Sequence, residues 1–352
     1  MTYLNCFNER RRYFAAQNSY LGFISHFPKV FNSEEYERIF VLKGGPGTGK
    51  SSFMKRAADE LAKSGELTEI YCSSDEASLD GIIVCGARGK IAILDGTSPH
   101  ERDAVIPGAI DELINLGEYW NSSELIRERE KIIALHKKKS KSYKSAYSHL
   151  KLAGKYHALL RSEILASFDS FRAREYAAKL AVGEKEKWAA RRSLLLSAFG
   201  KGGYITLGGA YAGFGKITEI TGEYCAAEIF MELLCEELKR LGIAHEEYPS
   251  PLSPAITEAV VIKEGESTHC YTLLPATEKI SAGKFLRSLS AKEVELRHYE
   301  RVRLENESKA MSAFADASCA HFELEKIYTP TMNFEKIGEL IEKTVQKAKS
   351  ML

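Results

Sequence analysis

RIFVLKGGPGTGKSSFMKRAADELAKSG, residues 38–65, joins an apolar run, a glycine-rich turn and a helical run in immediate succession. Arg38–Lys43 has strand character, and Gly44–Ser51 fits G-x-x-x-x-G-K-S, the phosphate-binding loop in its strand–loop–helix setting. The residue types dictate the chemistry. Gly44, Gly45, Gly47 and Gly49 let the backbone curl so that successive N–H groups face an anion. The helix expected from Lys50 onward aims its positive end at the same anion. Lys50 then reaches the outer phosphates, and the Ser51 hydroxyl is a magnesium ligand. Pro46, Thr48 and Ser52 complete the expected nucleotide cradle, Gly44–Ser52. Lys43 lies just outside it and reads as a strand-end residue.

IAILDG, Ile91–Gly96, is a second element of the same chemistry: an apolar strand ending in an aspartate, whose carboxylate holds the metal. Many ATPases follow that aspartate with a glutamate that polarises water. Here Gly96 follows, so a general base must come from elsewhere. The SSDEASLDG segment after the strand near Glu69–Cys72 reads as a loop and offers Asp75 and Asp80. GTSPHER offers Thr97, His100 and Arg102 as groups that sense or stabilise phosphate charge. Catalytic candidates are therefore Lys50, Asp95, Asp75, Asp80 and His100, with Ser51 and Asp95 as metal ligands.

The chain also repeats itself. Glu60–Asp95 matches Glu237–Thr272 at a constant shift of 177 residues, with identities that include Leu61/Leu238, Gly65/Gly242, Glu69/Glu246 and Val84/Val261. KITEITG parallels RIFVLKG, and Phe230–Met231 parallels Phe53–Met54 with one loop residue lost. Upstream, NSYLGF (Asn18–Phe23) resembles FGKGGY (Phe199–Tyr204), with Arg11 and Arg192 before them. Downstream, A-x-x-x-H recurs at Ala153–His157 and Ala317–His321, followed by the helix-cap candidates Asp169 and Asn333. The second copy has lost its chemistry. GEYCAAEI replaces the loop, so Lys50 falls opposite Ala227 or Glu228 and Asp95 opposite Thr272. Asp75 and Asp80 fall opposite Leu252 and Thr257. A glutamate at a helix start would itself repel phosphate. GFGK at Gly213–Lys216 precedes its strand, has Ala210 where the first glycine belongs, and is a decoy.

Helices fill the rest. Pro107–Trp120 has helical apolar spacing, and Asn121 with Glu124 caps a run that extends to about Ile164. Ser290 and Glu293 form a capping box before a run to about Tyr328, stopped by Thr329-Pro330. Trp120 and Trp188 read as packing residues. The expected organisation is an active repeat over 1–190 and a degenerate repeat over 191–352, each with a long helical hairpin arm.

Composition narrows the class. The 352 residues carry 49 basic and 48 acidic side chains, which excludes a general nucleic-acid coat. HKKKSKSYK at His136–Lys144 leaves nucleic acid open as a partner locally, with a solvated helix face the favoured reading. The seven cysteines are scattered without a C-x-x-C pair, so a reduced cytoplasmic setting is expected. MTYLNCFNERRRYF has no apolar run before its arginines, and the glycine-rich Ser193–Gly215 is a poor spanning segment; no membrane insertion is expected.

These motifs together resemble a bacterial family of tandem P-loop, ATP-binding proteins that has no established substrate. KGGPGTGKSS at Lys43–Ser52, C-S-S-D-x-x-S-L-D-G at Cys72–Gly81 and D-G-T-x-P-H at Asp95–His100 carry the likeness. So do P-G-x-x-D-E-x-x-N-L-G-x-x-W at Pro107–Trp120 and the lead-in Arg11–Phe23. The resemblance implies a duplicated α/β P-loop NTPase fold, mostly parallel sheets flanked by helices, that uses ATP and Mg²⁺. Members carry loops in both halves, and this chain departs by losing the second. Expected partners are a nucleoside triphosphate (ATP or GTP) and an unidentified phosphoryl acceptor or protein. The expected activity is Mg-dependent ATP hydrolysis at one site. A small-molecule kinase with Asp75 or Asp80 as base, and a nucleotide-gated module with little turnover, are the alternatives.

Overall fold

The computed structural model describes residues 10–73, 75–185, 189–208, 211 and 213–352; the side chains of 75, 76 and 189 also lie outside the description. Trp188 and Ala210 fall outside it, as does the Asp75 carboxylate.

The chain is mixed α/β with two six-stranded, mostly parallel sheets flanked by helices. The first uses β1 (Arg11–Phe14), β4 (Arg38–Lys43), β5 (Glu66–Cys72), β6 (Asp75–Cys85), β7 (Lys90–Asp95) and β8 (Asp111–Asn115). A hairpin of β2 (Ala16–Ser19) and β3 (Gly22–Ser25) and the short helix α1 (Phe27–Val30) lie between β1 and β4. The order is β1-β5-β6-β7-β4-β8, with β6 antiparallel to both neighbours. The second sheet uses β9 (Ala189–Arg191), β12 (Lys216–Thr221), β13 (His245–Pro249), β14 (Thr257–Glu264), β15 (Ser267–Thr272) and β16 (Glu278–Ser281), with the hairpin β10 (Ser197–Gly200) and β11 (Gly203–Thr206). Its order, β9-β13-β14-β15-β12-β16, repeats the first strand for strand, and β14 is again antiparallel to both neighbours.

Pleating corrects the sequence alignment by one residue. Side chains alternate across a sheet, so equivalent strand positions must face the same side. Leu42, Ile82 and Ile93 face the outer helix layer, as do Ile220, Val260 and Tyr271. Ile70, Ile83 and Ala92 face inward, as do Tyr248, Val261 and Cys270. In the strands the match therefore runs one residue further than the shift of 177. Asp95 is equivalent to Leu273 rather than Thr272, and Asp80 to Glu258 rather than Thr257. Glu69 is equivalent to Glu247; Arg12 lies 3.1 Å from the one and Arg191 2.9 Å from the other. The helices keep the original shift. Phe53, Met54, Ala57, Ala58 and Leu61 of α2 (Lys50–Leu61) are buried, as are Phe230, Met231, Leu234, Cys235 and Leu238 of α6 (Ala226–Leu241). Lys50 is thus equivalent to Ala227, and Ser51 to Glu228.

Two expected elements change type. The helix expected over Pro107–Trp120 is instead β8 followed by a 3₁₀ turn at Leu116–Tyr119, because β4 offers a parallel edge that Asp111–Asn115 fills. The loop expected over Ser73–Gly81 is mostly the start of β6, paired back onto β5.

The two sheets pack face to face. One cluster buries Tyr13, Ile39, Val41 and Leu94 of the first sheet with Tyr248, Ala259 and Leu274 of the second. The outer layers are exchanged between halves. After α3 (Ser122–Arg127) and α4 (Arg129–Ala166), α5 (Ser170–Leu180) joins α6 over the second sheet through Ala173 and Ala177. After α7 (Glu293–Tyr328), α8 (Phe334–Lys349) joins α2 over the first sheet through Ile337, Ile341 and Val345. Asp169 and Asn333 cap α5 and α8, accepting from Arg172 N and Lys336 N at 3.1 Å each. Ser290 bonds Ser288 instead of capping α7.

The arms are not hairpins. Each is one long helix, and α4 pairs antiparallel with α7: His149 meets Asn306, Tyr156 meets Tyr299, and Lys139 meets His321. Ala146, Leu150, Ala153, His157, Leu160 and Ile164 are buried at alternating four- and three-residue steps, as are Asn306, Ala310, Ala313, Ala317, Ala320 and Leu324. That 3.5-residue spacing is a coiled-coil seam, with alanines allowing close approach.

Glu258 supplies a pH test. It is fully buried, Ser197 Oγ donates to its Oε1 at 2.7 Å, and its Oε2 has no partner among the described residues. Burial pushes its carboxyl up to about 8. The folded chain then holds a proton that the unfolded chain releases above about pH 4.5, so stability falls as pH rises toward 8. Glu258→Gln should gain on wild type by on the order of 1–3 kcal/mol between about pH 5 and about pH 9, read by urea unfolding.

Candidate functional site

β4 ends at Lys43, and the chain turns through Gly44–Gly49 into α2 at Lys50. The turn requires its glycines: Gly47 and Gly49 have φ of 68° and 86°, the left-handed region that side chains disfavour. Thr48 Oγ1 donates to Gly45 O at 2.8 Å and closes the loop from within. Lys50 folds back over it, donating to Gly44 O at 2.9 Å and Gly45 O at 3.1 Å. Its ammonium lies 3.7 Å from Asp95 Oδ2, so the end of strand β7 and the loop converge. Asp95 Oδ1 is taken by Thr97, whose N and Oγ1 donate at 2.8 and 2.6 Å, which leaves Oδ2 toward Lys50. Ser51 Oγ accepts from Leu79 N at 3.0 Å. Lys43 is tied to Gly96 O and Asp103, both at 2.9 Å, away from the loop.

Asp80 and His100 form a pair of their own. Asp80 is the extra residue of a β-bulge, since Ile70 opposes Gly81 and Tyr71 opposes Leu79. Its Oδ2 lies 3.1 Å from His100 Nε2. The His100 ring stacks on Phe27 at 4.1 Å, beside the core between the sheets, and both members of the pair are buried. Among the described residues, no ion pair or hydrogen bond joins either to Lys50, Ser51 or Asp95. Arg102 is likewise engaged, donating to Ser33 at 2.7 Å and to Asp111 at 3.1 Å.

The loop is enclosed by residues that sequence reasoning did not nominate. The C-terminal end of α7 lies against it: a Cβ on Gly47 would meet Thr329 Oγ1 at 2.6 Å and Glu325 O at 3.0 Å, and one on Gly45 would meet Tyr328 at 3.2 Å. Trp120 packs edge-on against Tyr328, 5.8 Å between ring centres, and Phe334 of α8 closes on Gly49. From α4 comes Lys139, the inward member of the basic cluster; Lys137, Lys138, Lys141 and Lys144 are solvated. Lys139 Nζ lies 3.0 Å from His321 Nδ1. Burial pushes its ammonium below the usual lysine range and the Lys50 charge adds to this, while Cys72, Glu325 and Asp95 pull the other way. Lys139 is therefore within electrostatic reach of Lys50 and Asp95.

The spacing that relates His157 to His321 and Asp169 to Asn333 also relates Lys139 to Arg303. Lys139 and Arg303 thus hold equivalent positions on the two arms. Arg303 is neutralised by Glu300 and Glu307 at 2.8 and 2.7 Å. The corresponding neighbours of Lys139 are His136 and Tyr143, so no carboxylate of its own helix answers its charge. A signal was present: a lysine among small and aromatic residues on the inward face of a 3.5-residue seam.

Comparison with family models, with curated proteins and with solved structures returns no match to the chain.

Proposed function

We propose that the chain is a duplicated P-loop NTPase that binds one Mg-nucleoside triphosphate, ATP, at Gly44–Ser52 and hydrolyses it slowly, while its second half binds no nucleotide. The observation that carries this reading is the convergence of Lys50 on Asp95 Oδ2, at 3.7 Å, above a loop in which Gly47 and Gly49 lie in left-handed conformation.

The residues present fit the ligand. Loop amides and the start of α2 favour phosphate oxygens, and Lys50 supplies charge to them. Ser51 Oγ and Asp95 Oδ2 are oxygen donors of the type magnesium takes. Magnesium would neutralise charge that develops on the phosphates. Lys139 adds a third cation from the arm, on the side of the loop where Asp95 and Cys72 lie within its electrostatic reach.

Slow turnover follows from Gly96. A Cβ there would lie 2.3 Å from Val41 Cγ1 and 2.9 Å from Arg102 O, so the glutamate that usually follows the metal aspartate has no room. Asp80, engaged with His100, is poorly set to act as a base. That pairing counts against Asp80 as the base of the kinase reading, while the carboxylate of Asp75, its other candidate base, lies outside the described residues. The contact of Thr329 and Glu325 with Gly47 favours a nucleotide-gated role for the arms, alongside slow hydrolysis.

Lys50→Ala should cost about 1.5–3 kcal/mol of nucleotide affinity by calorimetry, whereas wild type should show a single site per chain. Asp95→Asn should reduce turnover more than binding, and unchanged turnover would remove Asp95 from the metal site. Purified protein should hydrolyse ATP below roughly 0.1 s⁻¹ in a steady-state phosphate-release assay. Lys139→Met should weaken triphosphate binding about tenfold and leave diphosphate binding nearly unchanged, which separates a contact to the terminal phosphate from a structural role.

A further inference from the structure

The second half places a different set of side chains where the first half has its loop. α6 begins after Cys225, its N-cap residue, and Glu228 follows one turn on, at the position equivalent to Ser51. The turn into α6 is strained: Tyr224, with φ of 53°, is the only non-glycine residue with positive φ among the described residues. Opposite, α4 delivers His157, whose Nε2 lies 2.9 Å from Glu228 Oε2. The Tyr20 ring packs 5.4 Å from the His157 ring, and the Tyr20 hydroxyl donates to Glu307 at 2.6 Å, so the imidazole is held from its far side. The Cys225 thiol completes a set in which one ligand atom from each of the three residues lies within 4.8 Å of the others. Cys225 and His157 are buried, and Glu228 is half-buried.

We propose that His157, Cys225 and Glu228 form a binding site for a thiophilic divalent cation, zinc in the first instance. Three atoms so spaced share a point within about 2.8 Å of each, against bond lengths of about 2.0–2.1 Å for nitrogen, 2.0–2.2 Å for oxygen and 2.3 Å for sulfur. Side-chain movement of about 0.5–0.8 Å closes that gap. The donor set suits the ion: thiolate and imidazole select zinc over magnesium or calcium, and one thiolate with one carboxylate balances a charge of two. Binding displaces the thiol proton of Cys225 to solvent as the metal–sulfur bond forms. Three protein ligands leave a fourth position for water or another donor on the side where Glu228 meets solvent. The counterpart of the P-loop would then hold a metal through protein ligands, in place of a metal held with a nucleotide. The proposal does not depend on the nucleotide reading, since it uses no residue of Gly44–Ser52.

Untagged full-length chain, stripped with chelator and titrated with cobalt(II), tests it. One equivalent should bind with a thiolate-to-cobalt charge-transfer band, and zinc should displace it. Cys225→Ser should abolish the band, and His157→Gln, which keeps a hydrogen bond to Glu228, should weaken zinc binding at least about tenfold. Cys319→Ser, at an exposed cysteine, should keep both band and affinity. Zinc should raise the thermal midpoint of wild type and of Cys319→Ser alone, which separates lost binding from lost folding. Absence of the band in wild type, or its persistence in Cys225→Ser, would overturn the proposal.

Discussion

The antiparallel seam between α4 and α7 is the contact on which the rest of the molecule depends. Alanines at 146, 153, 310, 313, 317 and 320 let the two backbones approach, and larger residues such as Leu150, Phe314 and Leu324 fill the remaining space. The buried stripe of each helix is taken up by the other helix rather than by a sheet, and each crosses to the other half. That crossing delivers α5 to the second sheet and α8 to the first, where Ile337, Ile341 and Val345 complete the core that holds β4 and α2. The loop at Gly44–Ser51 is thus braced by residues nearly three hundred positions later, as the contacts of Thr329 and Phe334 with Gly47 and Gly49 show. The two halves share their central core as well, through the cluster that joins Ile39 and Val41 to Tyr248 and Val261.

The two copies of the architecture then differ in how their charges are paired. In the first half, Lys50 lies 3.7 Å from Asp95, and Lys139 is in electrostatic reach of both and of Glu325. In the second half three of the arms' cationic or imidazole groups are paired with carboxylates. Arg303 lies between Glu300 and Glu307, Arg161 pairs with Glu232, and His157 meets Glu228. The architecture is kept, while these charges are paired within the protein.

Much of this was legible in the residues because it was local. The loop motif, the strand ending in Asp95 and the caps at Asp169 and Asn333 each depend on a few consecutive positions, and each sits in the element expected. The repeat was legible too, but one residue out of register in the strands, because identities such as Glu69/Glu246 outweighed the inside–outside alternation that pairs Ile93 with Tyr271. Pro107–Trp120 reads as a helix by spacing and becomes β8 because an adjacent edge of β4 outweighs local preference. The exchange of α5 and α8 is invisible in linear order, since short loops ordinarily return a helix to its own sheet. The four- and three-residue steps at 146–164 and 306–324 were the available sign that the arms pair with each other.

Amide hydrogen exchange with and without Mg-ATP tests most directly whether the loop and the arms act as one site. The account predicts added protection at 44–52 and, with the same nucleotide dependence, at 319–334 and around Lys139, with 222–230 unchanged. Protection confined to 44–52, or appearing at 222–230, would contradict it.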